Sequence, residues 1–154
     1  MERTEIAKKL FAQAQRMTLA MAVSVLLYGA IAYYLIQIGK VGPAVLDAQI
    51  YPLVKYGALG ISIMGILSMG FLAGRMCGAP QGVEAEGNRA PQKLFLRTIL
   101  MSVGAELPVL LGMILVFLGH QIYDYVPFAA ISLAGFAFAF PKKQHWSSQL
   151  GIDL

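Results

Sequence analysis

The sequence predicts an all-α integral membrane protein: a four-helix bundle in a single membrane domain, with both termini on the cytoplasmic side. Three observations predict it. The 154 residues are 58% hydrophobic and only 13% charged, whereas a soluble domain averages about 45–50% apolar and about 25% charged. The apolar residues gather into four runs. The basic residues gather between those runs, and on alternate sides of them.

The runs cover residues 17–38, 56–73, 98–118 and 126–140. At about 1.5 Å rise per residue, about twenty residues cross a hydrocarbon core of about 30 Å. The first run is long for a signal-peptide core, and no small-x-small cleavage site follows it, so it is expected to stay as an anchor. Residues 1–16 read in two ways. Ile6, Leu10 and Ala14 recur at four-residue steps beside Lys8, Lys9 and Arg16, which suits a surface helix leading into the first span; an ordinary cytoplasmic lead-in is the alternative. The fourth run is short. Tyr123 and Tyr125 before it and Trp146 after it are expected to extend it as interfacial anchors, and Pro141 marks its end. Tyr33 and Tyr34 read as an interface belt at the outer end of the first span.

Charge sets the expected direction. Arg3, Lys8, Lys9 and Arg16 precede the first span; Arg75, Arg89, Lys93 and Arg97 lie between the second and third; Lys142 and Lys143 follow the fourth. Only Lys40 and Lys55 fall on the other side. This asymmetry predicts an inner-membrane protein with cytoplasmic termini and a cytoplasmic loop over 74–97, whose Gly- and Pro-rich part, 78–91, is expected to be irregular. Basic residues distributed in this way are not a nucleic-acid footprint. The bilayer is the first expected partner.

Chemistry-bearing motifs are few. Cys77 is the single cysteine, and no Cys/His cluster has zinc spacing, so no metal site is expected. His120 and His145 fall at opposite faces of the membrane, which excludes a haem held by both in one chain. With no phosphate loop and no Ser-His-Asp set, no catalytic residue, cofactor or enzymatic activity is expected. Asp124 reads as a cap on the fourth span.

Small residues mark where membrane helices approach one another, because lipid supplies no hydrophobic gain for their association. The second run and its end carry Gly57, Gly60, Gly65, Gly70 and Gly74, with Ala58 and Ser62 as a further small-xxx-small step. This predicts that the second span is the central helix. Gly104, Ala105 and Gly112 are the corresponding small residues of the third span.

The third span also holds the one charge within an apolar run. Residues 98–118 read TILMSVGAELPVLLGMILVFL, and Glu106 lies about 12 Å in from the start of the run. An ionised carboxylate at that depth costs a few kcal/mol or more. A protonated carboxyl, a polar partner or a water-filled path would answer that cost. Pro108 removes a backbone donor two residues on and frees the carbonyl of Gly104, so a carbonyl and a carboxyl are expected close together. No Lys, Arg or His lies within any span. The candidate partners at matching depth are the hydroxyls of Ser24, Tyr28, Ser62 and Ser132. An intramembrane acid is a functional site by default, and this one suits a proton better than sodium, since no glutamine or second acid lies nearby.

The second and third runs together resemble the hairpin of the rotary ATP synthase c subunit: a glycine-rich helix, a polar loop, and a returning helix with a central acid. That family's acid helix often reads Glu-Ala-x-x-Ile-Tyr-Gly-Leu, and here the chain reads Glu106-Leu107-Pro108-Val109-Leu110-Leu111-Gly112-Met113, with the acid and the glycine six residues on in common. Ala90-Pro91-Gln92-Lys93 is loosely similar to the family's Arg-Gln-Pro loop. The chain differs in its longer loop and in having two further spans. The resemblance implies that Glu106 is a proton-carrying carboxyl in a ring of subunits. The expected function is therefore a proton-translocating or proton-responsive subunit, in a homo-oligomer or a larger membrane complex. The alternatives are a structural accessory subunit of such a complex and a small proton-coupled exporter.

Overall fold

The computed structural model describes residues 3–40, 44, 46–76, 89–119 and 121–153. These form helices α1 (Arg3–Gln37), α2 (Tyr51–Met76), α3 (Arg89–Gly119), α4 (Tyr125–Ala139) and α5 (Lys143–Leu150), with a 3₁₀ turn, Ile122–Asp124, leading into α4. Four segments are long and apolar enough to cross a membrane, the fourth running from the 3₁₀ turn through α5. The helices extend beyond the apolar runs that announce them. Residues 74–76 and 89–97, expected in the loop, are helical; Cys77, His120 and most of the Gly/Pro-rich segment lie outside the described residues.

α1 is one continuous helix of 35 residues, about 50 Å long. Within it, residues 3–16 are helical and run without a break into the apolar span. Its inward stripe keeps heptad spacing. Ala7, Ala14, Thr18, Val25 and Ala32 are buried, and Phe11, Met21 and Tyr28 fill the intervening positions half-buried. Steps of three and four residues hold one seam against a neighbour along a helix pair that crosses at a shallow angle. α1 ends in a Schellman arrangement: the amide of Gly39 donates to the carbonyl of Ile36, and that of Lys40 to Leu35. Gly39 takes φ +65°, a conformation costly for a residue with a Cβ.

The central helix is α3, not α2. α3 packs against α1, α2 and α4, and 44% of its apolar window is buried, against 17% for α2. The reason lies in where the glycines point. A Cβ on Gly104 would stand 2.6 Å from Cβ of Met69 in α2, and one on Gly112 would stand 2.6 Å from Cβ of Phe128 in α4. A Cβ on Gly135 of α4 would come within 2.9 Å of Ala105 Cβ. Small residues on α3 and α4 thus set the helix separations. Of the α2 glycines, only Gly65 meets a neighbour, Leu107, at ordinary contact distance; Gly57, Gly60, Gly70 and Gly74 face open space. Pro108 lies inside α3, buried, and the helix continues through it.

Two apolar clusters hold the bundle. One lies within the spans and joins Val25 and Ala32 to Ala105, Val109, Val116, Tyr125 and Phe136. The other lies at the end where both termini meet, and joins Ala7 and Ala14 of α1, Ala90 and Leu94 of α3, and Trp146 and Leu150 of α5. Phe11 meets the Trp146 ring edge-on at 5.4 Å. Trp146, expected as an interfacial anchor, is instead only 2% exposed. α5 stops at Gly151, φ 63°, whose amide donates to the Ser147 carbonyl.

Candidate functional site

The α1–α3 seam brings Thr18, Ser24 and Tyr28 of α1 to Ser102 and Glu106 of α3. The stripe of α1 that meets α3 is built from small and apolar residues, so the few hydroxyls on it are directed at the same helix. Thr18 and Ser102, both buried, share a hydrogen bond of 3.2 Å. One turn further along α3 is Glu106, half-buried. Ser24 and Tyr28, one turn apart on α1, both donate to Glu106 Oε1 at 3.2 Å.

Ser24 has a second acceptor. Its hydroxyl also donates to the backbone carbonyl of Met21 at 2.6 Å. A serine hydroxyl has one hydrogen and two lone pairs, so Ser24 serves one of these acceptors at a time. The shorter contact is the one to Met21. When the hydrogen lies there, Ser24 turns a lone pair toward Glu106.

The other candidate hydroxyls are satisfied elsewhere. Ser62 is buried and donates to Ala58 of its own helix at 2.8 Å. Ser132 is buried on α4 and donates to the backbone carbonyl of Ala105. It thereby ties α4 to α3 beside Glu106 and three residues before Pro108, where the proline weakens the helical ladder. Tyr125 reaches across the bundle and donates to the carbonyl of Val25. Gly104 and Gly112 serve as contact points for α2 and α4. Of the residues expected around the acid, the structure therefore brings Ser24 and Tyr28 to Glu106, and leaves Ser62 out.

At the opposite end from the termini is a second charged group that the sequence pattern does not announce. Asp124 is the N-cap residue of α4, but its side chain makes no capping bond. Its carboxylate instead receives Lys55 Nζ on Oδ1 at 2.6 Å and the Tyr51 hydroxyl on Oδ2. The side chains of Lys55 and Asp124 are 28% and 7% exposed, so the pair is largely removed from solvent. Gly119 makes room for the Tyr51 ring, since a Cβ there would collide with it. This cluster fastens α2 to the start of α4. The spacing of Tyr51 and Lys55, one helical turn apart, is the only sequence signal for it.

Comparison with protein-family models, curated proteins and solved structures gave no match for this chain.

Proposed function

We propose that the chain is a multi-pass inner-membrane subunit that binds and releases protons through Glu106. The observation that carries this reading is the pair of hydrogen-bond patterns open to Glu106. When the carboxyl is protonated, it donates to Ser24 and Ser24 donates to Met21. When the carboxylate is ionised, Ser24 turns its hydrogen to Oε1 and Tyr28 donates beside it. Neither state leaves the acid without a partner, and the change needs only the rotation of one hydroxyl. A buried polar group without a partner costs about 1–3 kcal/mol, and more when charged. A site that avoids this cost in both states suits reversible proton binding.

The same arrangement fits a subunit of a larger assembly better than a self-contained exporter. Neither of the two cavities described below is lined by Glu106, Ser24 or Tyr28. The glycines of α2 that face open space favour close approach by another membrane helix. The likeness to the ATP synthase c-subunit hairpin supports a ring. The concentration of basic residues at the end that holds both termini supports a cytoplasmic position for that end.

The test is reconstitution with a proton-sensitive dye, together with labelling by a hydrophobic carbodiimide, which reacts with protonated carboxyls. Wild-type protein is expected to label at a single site that disappears in Glu106→Gln, and proton uptake is expected to fall to background in that variant. Labelling distributed over loop carboxylates, or full uptake by Glu106→Gln, would overturn the reading.

A further inference from the structure

A cleft opens at the end of the bundle where the termini meet. It is about 220 Å³ and lies between α3, the turn joining α4 to α5, and α5. Its walls are of two kinds. Arg97, Lys142 and His145 line one part; Met101, Phe138 and Trp146 are among the apolar residues of the other. None of the three basic side chains has an ion pair or a side-chain hydrogen bond among the described residues, and the nearby Lys143–Asp153 pair does not involve them.

A second cavity adjoins it. This one, about 200 Å³, lies between α2 and α4 and is lined only by apolar side chains and Gly135. Phe138 lines both cavities and is 82% exposed. The Phe138 ring thus stands between the basic cleft and an apolar groove lined by α2 and α4.

We propose that these two cavities together bind one anionic phospholipid. Its phosphate lies against Arg97 and Lys142, and an acyl chain passes Phe138 into the α2–α4 groove. The position argues for a lipid. α4 ends at Ala139, and Pro141, Lys142 and His145 follow within six residues, a placement of basic residues just past an apolar span that suits a lipid headgroup. A guanidinium matches two phosphate oxygens with parallel donors, and the lysine adds a point charge. A basic pocket between spans on the cytoplasmic side is a recurrent setting for anionic headgroups. A soluble phosphate ester would use the same cations but leave the groove unfilled.

The protein carries its own reporter, because Trp146 is the only tryptophan and lines the cleft. The full chain is placed in nanodiscs of unlabelled phosphatidylcholine containing a minor fraction of lipid with a dibrominated acyl chain, either phosphatidylglycerol or phosphatidylcholine. Bromine quenches tryptophan at short range. The brominated phosphatidylglycerol is expected to quench Trp146 at a lower mole fraction than the brominated phosphatidylcholine. Each cation near the surface is worth about a fivefold preference, so Lys142→Gln is expected to lower that preference about fivefold, and Arg97→Gln to act likewise. Lys8→Gln, at the same end but outside the cleft, is expected to leave it unchanged. The exposed position of Lys142 makes its variant safe for folding, which far-ultraviolet circular dichroism checks. Glycerol phosphate added to the buffer is not expected to relieve the quenching. Equal quenching by the two lipids, equal loss in Lys8→Gln, or relief by glycerol phosphate would overturn the proposal; the last would assign the cleft to a soluble phosphate instead.

Discussion

Hydroxyls at one depth are indistinguishable in a sequence, and Ser24, Ser62 and Ser132 illustrate it. Each sits where it could reach Glu106 by height along the bundle. Only Ser24 and Tyr28 do so, because height is read from residue number whereas direction depends on which helix stands next to which. A serine that finds no tertiary partner returns its hydrogen to its own helix, as Ser62 does with Ala58. Asp124 departs from its expected role for a related reason. Its place before α4 suits a cap, but a lysine and a tyrosine from α2 compete for the carboxylate, and a charge-assisted bond outweighs a bond to a backbone amide. Removing one member of this cluster exposes its worth. Lys55→Met strands a carboxylate with little access to solvent, which costs about 3–5 kcal/mol for a fully buried pair. The residual exposure of Lys55 reduces this to about 1–3 kcal/mol. Thermal unfolding in detergent is expected to show that loss, and a second substitution, Asp124→Asn, is expected to recover part of it; a stability unchanged by Lys55→Met would mean the pair contributes nothing.

At the scale of helices, the four spans are legible in the sequence because long apolar runs are rare outside membranes, and the short fourth run is completed by the residues that flank it. Their arrangement is not. Abundance of glycine points to α2, yet the contacts are made by the fewer small residues of α3 and α4. A glycine permits close approach without saying whether anything approaches. The heptad stripe of α1 is a better guide, since spacing alone sets Thr18, Val25 and Tyr28 on one face of that helix. Substitution separates the two sets of glycines. Gly112→Ala places a methyl 2.6 Å from Phe128 Cβ, an atom bonded directly to the backbone that no rotamer change can swing aside, and is expected to destabilise the bundle by about 1–3 kcal/mol. Gly60→Ala meets nothing within the chain. In the isolated monomer it is expected to be neutral or to stabilise by up to about 1 kcal/mol through helix propensity. If α2 lines an interface between subunits, the same change is expected to lower the mass of the assembly measured in detergent.

For the molecule as a whole, charge asymmetry is sharper in three dimensions than along the chain. Of the two basic residues at the end away from the termini, Lys55 is neutralised by Asp124. The other end gathers the α1 extension, the start of α3 and α5 around Trp146, and with them most of the basic residues. The amphipathic α5 is hidden in the sequence because eight residues are too few to show a period, and because a lone tryptophan after a span has the look of a headgroup anchor.

The seam between α1 and α3 sets a condition on any traffic through Glu106. In a bare two-helix hairpin an acid on the outer surface is open to whatever slides past it. Here a neighbouring rod of the same chain, through Ser24 and Tyr28, stands over it. Under the proposed function, delivery of a proton would wait for that rod to swing aside, which would make turnover a property of breathing between two helices rather than of the acid alone. The Thr18–Ser102 contact, 3.2 Å between oxygens, offers a latch to test this. With Cys77 replaced by serine, a disulfide between Thr18→Cys and Ser102→Cys is expected to suppress carbodiimide reaction at Glu106, and a reductant is expected to restore it. Undiminished reaction in the latched protein would mean that the acid is served from another side.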